Sequence, residues 1–138
     1  METTNQAQQR LFQWTVCAYR RPDLSEKEYH AYMSEKHGPL VKGLLVKYGI
    51  IRFSMIHNTT ETRKQMAKIV GPQFNNHADY DCFVQAVFKD VEDFVRFKAD
   101  PFYVEVIHHD HENFADTTRS RMTVGWVDDH VLNGKSVD

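Results

Sequence analysis

Apolar residues change their period several times along this chain, and each change marks an element. Positions 11–19, LFQWTVCAY, mix aromatic and β-branched residues over the length of a strand. In the following RRPDLSEKEY, Ser25 and Glu28 stand at capping-box spacing, so a helix is expected to begin there. Apolar residues then recur at helical intervals through Tyr29, Tyr32, Met33, Leu40, Val41, Leu44 and Leu45, and Gly49 is placed to stop the helix. The pattern predicts a second strand over 50–57 (IIRFSMIH), a short polar surface helix over 59–71 and a third strand over 80–88 (YDCFVQAVF). Asp90 and Asp93 suit the start of another helix, VEDFVRFKAD, which Pro101 restarts or kinks into PFYVEVIHHD. A fourth strand is expected over 120–127 (SRMTVGWV). The result is an α+β, ferredoxin-like β-α-β-β-α-β order with an inserted helix.

Two long helices can cover only one face of a four-stranded antiparallel sheet. The strands nevertheless carry apolar residues on both faces: Phe12, Trp14 and Val16 alternate with Leu11 and Cys17, and Tyr80, Cys82 and Val84 with Phe83 and Val87. A second copy of the same sheet would cover the remainder, so the expectation is a homodimer closing into a dimeric α/β barrel. A length of 138 residues fits a single domain, with its core over about 11–130.

Charge and composition narrow the function classes. A net charge of -2, with Lys and Arg scattered among acids, offers no basic field, so nucleic acid is not expected as a partner. No apolar run approaches the roughly 20 residues of a membrane span. The start METTNQAQQR has no hydrophobic signal core. The expected location is cytoplasmic. Cys17 and Cys82 lie in strand-like runs without CxxC spacing and read as reduced thiols. No glycine-rich phosphate loop and no GxSxG elbow is present.

Candidate chemistry centres on histidine. Counting by three and four from Met33 and Val41 lands on His37, which therefore belongs to the face packed toward the sheet. Pro39 removes an amide donor, and Gly38 can absorb a bend, so His37 is expected at a helix break. Such a histidine is either a core residue bonded to a carbonyl or a functional imidazole. The helix dipole favours imidazolium or the neutral ring according to which segment His37 joins. In IHHDHENF, His108 and His111 share one helical face but supply only two ligands, too few for zinc, so no metal is expected. They read instead as donors at a pocket mouth, whereas His109 reads as a solvated helix end. Tyr103 lies inward with Val106 and Ile107, and its hydroxyl is another candidate donor. His57 shares a strand face with Phe53 and Met55. His30, His77 and His130 fall at polar positions and receive no role. Two Trp, six Tyr and nine Phe exceed what a small core needs. Trp14, Tyr29, Phe53, Phe83, Phe97, Tyr103 and Trp126 are expected to line a cavity for a flat conjugated ligand.

The EKHGPLV segment, the strand and helix order and the closing run ENFADTTRSRMTVGWV together resemble the EthD-domain branch of the dimeric α/β-barrel superfamily, over about residues 11–130. Similar members are cofactor-free tailoring proteins of fungal aromatic polyketide pathways, including decarboxylases of anthraquinone precursors such as atrochrysone carboxylic acid. Because the HGPL-type motif includes His37, the resemblance implies a catalytic role for it as proton donor or oxygen polariser, assisted by His108, His111 or Tyr103. It also implies a small aromatic polyketide as the partner and no cofactor. Loss of CO2 from such an acid needs a proton at the ring carbon and stabilisation of charge on the neighbouring oxygen. Cyclisation or dehydration of the same substrate class, and binding without catalysis, stay open on the sequence.

Overall fold

The computed structural model describes residues 10–138, so the polar start METTNQAQQ, read above as lacking a signal core, lies outside the described residues. Its framework is an antiparallel sheet of β1 (Phe12–Ala18), β2 (Arg52–His57), β3 (Cys82–Phe88) and β4 (Arg121–Trp126), in the order β2-β3-β1-β4. With helices on one face this is the expected ferredoxin-like α+β fold. No helix among the described residues is long and apolar enough to cross a membrane.

Helix α1 (Glu26–Tyr32) opens on the anticipated capping box: the Glu28 amide donates to Ser25 Oγ at 3.1 Å, and the Ser25 amide donates to Glu28 Oε1 at 2.9 Å. The expected break at Pro39 is not a break. A five-residue π-helical turn, Met33–His37, joins α1 to α2 (Gly38–Lys47), with helical backbone throughout. The Gly38 amide reaches back to the Met33 carbonyl, and a Cβ at Gly38 would lie 3.2 Å from that oxygen, tight enough to explain the glycine. Widening the turn accommodates the missing proline donor without a free helix end. Gly49, at φ +79°, ends α2 as expected.

The inserted helix α3 covers only Thr60–Gln65, followed by a 3-10 turn at Met66–Lys68. After β3, α4 spans Val91–Ala99. Asp100 is extended, and its Oδ1 accepts from the Phe102 amide at 2.8 Å, so the chain restarts rather than kinks at Pro101. A second π turn, Tyr103–Ile107, leads into α5 (His108–Asp110) and a 3-10 turn at His111–Asn113. Beyond β4, a small hairpin of β5 (Val131–Leu132) and β6 (Lys135–Ser136) turns through Asn133 and Gly134, both at positive φ.

Strand register sorts the sheet faces. Trp14, Ala86 and Phe53 are in register across three strands, as are Val16, Val84 and Met55, and these side chains meet the helices. One core cluster packs Tyr29, Met33, Cys82 and Phe114 together; another packs Val41, Leu45, Phe97 and Ile107. Phe53 touches both clusters. Complete burial of a residue such as Ile107 contributes about 1.5–3 kcal/mol. The opposite face is more polar than the apolar alternation suggested, because Gln13, Thr15, Ser54 and Gln85 stand among Cys17, Ile56, Phe83 and Val87. Both cysteines are free; burial pushes the Cys82 thiol up to about 12, so it stays protonated.

Candidate active site

A mostly apolar cavity of about 130 Å³ lies between the helix-facing side of the sheet and the α1–α2 and α4–α5 layers. Along one wall Trp14, Phe94, Phe97 and Tyr103 form an unbroken aromatic row, with successive ring centroids 4.8, 5.3 and 5.1 Å apart. Phe114 lies against the opposite side, its ring centroid 4.6 Å from His37 and 5.6 Å from His111.

The two π turns aim the polar groups. His37 closes the first and is only 6 % exposed, so its ring is presented to the cavity rather than to solvent. His37 Nδ1 donates to Asp110 Oδ2 at 2.8 Å. The other Asp110 oxygen accepts from the Tyr32 hydroxyl and, at 3.0 Å, from Asn113 Nδ2. Burial raises the Asp110 carboxyl, but hydrogen bonds from Tyr32, His37 and Asn113 outweigh it and hold it below the usual carboxylate range. For His37 the balance is opposite: burial lowers the imidazole, and Asp110 offsets this only in part. The ring is therefore neutral near pH 7, protonated at Nδ1, with its Nε2 lone pair unpartnered among the described residues. Because the helix is continuous, burial and Asp110, not a helix end, set this protonation state.

His111 stands beside His37, with ring centroids 5.0 Å apart. Its Nδ1 donates to the His108 carbonyl at 3.0 Å. Burial, with the nearby His37 and Lys98, holds it low. Two neutral imidazoles thus face one cavity, and only His37 has a carboxylate ready to stabilise a proton it accepts. The Tyr29 hydroxyl is wholly buried without a partner among the described residues, and burial raises its pKa.

The cavity brings together His37, His111, Tyr103, Trp14, Tyr29, Phe53 and Phe97, but leaves out four expected residues. His108 points outward against His109, one helical position off the cavity side, and contributes only its carbonyl. Phe83 is on the other face of the sheet, as its position between Cys82 and Val84 requires, and packs on Tyr80. Trp126 is on edge strand β4 beyond the reach of the helices, 54 % exposed beneath the Arg10 guanidinium. His57 has the expected face but lies at the end of β2, where its Nδ1 meets His30 Nδ1 at 2.7 Å and its Nε2 meets Ser34 Oγ at 3.2 Å. His30, assigned no role above, is thus a structural partner of His57. Asp110, Phe94, Phe114 and Lys98 were missed. A carboxylate in the histidine-rich run was the available signal for Asp110, but its alignment with His37 depends on packing between helices distant in sequence. Among the described residues no three His, Cys, Asp or Glu side chains are grouped to hold a metal ion.

Burial lowers His30, His37, His57 and His111 alike. A buried imidazole with a lowered folded-state value takes up its proton later than the unfolded chain does. Its stabilising contribution is full above the unfolded value, about 6.5, and is lost as the pH falls from there toward the folded values. Thermal melting followed across this range should therefore show a falling midpoint below about pH 6.5. A midpoint flat down to the carboxylate range would contradict the neutral, buried imidazoles.

The EthD domain family model matches residues 21–118. The dehydratase aurZ of Gibberella zeae is 52 % identical over 123 residues, 89 % of this chain and 81 % of that protein. The decarboxylase nsrE of Aspergillus novofumigatus is 48 % identical over 124 residues, 90 % of this chain and 82 % of its own. A dimeric protein of ferredoxin-like fold from Bacteroides fragilis superposes with a TM-score of 0.57 at 12 % identity, over 85 % of this chain and 96 % of that one, a likeness of fold. With a family model spanning most of its length and relatives near half identity, the chain belongs to the EthD-domain family.

Proposed function

We propose that this protein is a cofactor-free lyase that removes CO2 from an aromatic polyketide carboxylic acid resembling atrochrysone carboxylic acid. The observation that carries this reading is a neutral imidazole, backed by a buried carboxylate, facing an aromatic-walled cavity. His37 Nε2 accepts the proton of a phenol or enol beside the substrate carboxylate, and Asp110 stabilises the imidazolium formed. The oxyanion directs electron density to the carboxyl-bearing ring carbon, which takes the proton back from Nε2. The carbon–carbon bond then breaks, CO2 departs, and its electron pair restores the aromatic ring. Tyr103 and His111 line the same cavity, which supports a role for them at the oxyanion and the ring.

Dehydration is the second reading, supported by the name of the Gibberella relative. Here the same Nε2 removes a proton adjacent to a carbonyl and returns it to the departing hydroxyl. Incubation with a carboxylated anthrone followed by mass spectrometry separates the readings: loss of CO2 supports decarboxylation, loss of water dehydration, and no change a binding protein.

The fold also supports a homodimer, with the open sheet face around Cys17, Ile56, Phe83 and Val87 set against a second copy, closing the barrel. On the helix-facing side of edge strand β4, beyond the helices, Met122, Val124 and Trp126 are further apolar surface that a monomer leaves at least half exposed. Light scattering at micromolar protein is expected to give twice the 16.2 kDa chain mass; the monomer mass would remove the barrel.

A further inference from the structure

Resting on the reading of an acidic aromatic substrate, we infer that Lys98 receives the substrate carboxylate at the cavity mouth and separates the acid from its neutral product. Lys98 is in the last turn of α4, beside the buried Phe97, and combines solvent exposure with a place in the cavity wall. Its Nζ stands 5.3 Å from the centroid of the Tyr103 ring, so the ammonium is held at the aromatic wall. The charge is also felt by His111. No Asp or Glu lines the cavity, and Lys98 is its one permanent cation among the described residues. Among the described residues no ion pair engages it.

Consider what each ligand meets there. An aromatic acid brings a carboxylate that can approach Nζ while its rings pack along Trp14, Phe94 and Phe97. Once the carboxyl has left as CO2, the rings still pack but the ion pair is gone. The same lysine that draws in the acid therefore has no hold on the product, which favours release. Lys98 does not touch the proton in transit, so its contribution belongs to binding rather than to the chemical step.

The test compares binding of 1-hydroxy-2-naphthoate and 1-naphthol, read by quenching of Trp14 in a Trp126→Phe background that removes the other tryptophan. Lys98→Met should weaken the naphthoate about 1.5- to fivefold, the range for a solvent-exposed ion pair, and leave naphthol unchanged. Lys98→Arg should retain most of the preference, and added salt should erode it in the parent protein. On a substrate that turns over, the loss should fall in KM rather than kcat. Equal weakening of both ligands, or of neither, would overturn the assignment. The reaction is judged separately. A protein that discriminates the two ligands through Lys98 yet releases no CO2 keeps the carboxylate site and loses decarboxylation; CO2 release without Lys98-dependent discrimination does the reverse.

Discussion

Replacing His37 with glutamine is expected to reduce turnover of a carboxylated aromatic substrate by about 10²- to 10⁴-fold, the span attributed to a positioned general acid–base. Glutamine retains much of the volume and a hydrogen-bonding end toward Asp110, so the melting midpoint should change far less than the rate. It has no basic nitrogen of suitable pKa, so the proton taken from the substrate has nowhere to reside. CO2 release in single turnovers is the direct measurement. A folded variant with undiminished turnover would exclude His37 from the mechanism and leave it as a core residue bonded to Asp110.

The second large effect is expected at Asp110→Asn, and it acts through the tautomer. Asn113 Nδ2 can only donate, and it donates to Asp110 Oδ1 together with the Tyr32 hydroxyl. These contacts fix an amide oxygen at that position and turn the amide nitrogen toward His37. Facing a donor, His37 Nδ1 must accept, which moves its proton to Nε2 and removes the lone pair from the cavity. Turnover should fall by about 10²- to 10⁴-fold although the substitution is nearly isosteric, as when a catalytic imidazole is locked in the wrong tautomer. The pH–rate profile should change with it. Because both residues serve one proton transfer, combining the substitution with His37→Gln should add little further loss. Additive losses would indicate two independent functions.

The strand and helix pattern was legible because it depends on local period and capping. Ser25 with Glu28, Gly49 and the four apolar runs each carry their meaning within a few residues, and the four sheet strands lie within two residues of their expected limits, whereas the inserted helix ends well short of residue 71. The β5–β6 hairpin was not anticipated: Asn133-Gly134 is the dipeptide a two-residue turn with positive φ favours, but the two-residue strands beside it are too short to give a period. The turn around His37 was half legible. Pro39 and Gly38 marked a backbone irregularity, but a free helix end and a π turn satisfy the same missing donor, and neighbouring elements choose between them.

The site divided in the same way. His37, Tyr103, Trp14, Tyr29, Phe53 and Phe97 could be placed inward because periodicity alone assigns a residue to one face of its own element. That rule does not say how far the covering layer extends. Trp126 shares the helix-facing side of the sheet but lies beyond the helices, and His57 has the right face at the wrong end of its strand. By itself the sequence determined the element order, the ferredoxin-like sheet and which side of each element turns inward, because these follow from short-range sterics and hydrophobic period. Only the tertiary structure decided which inward residues meet. His37 and Asp110, 73 positions apart, form one hydrogen-bonded pair because two π turns rotate their helices toward a common cavity. That rotation sets the proton on Nδ1 and leaves Nε2 open, a consequence of packing geometry that neither segment encodes alone.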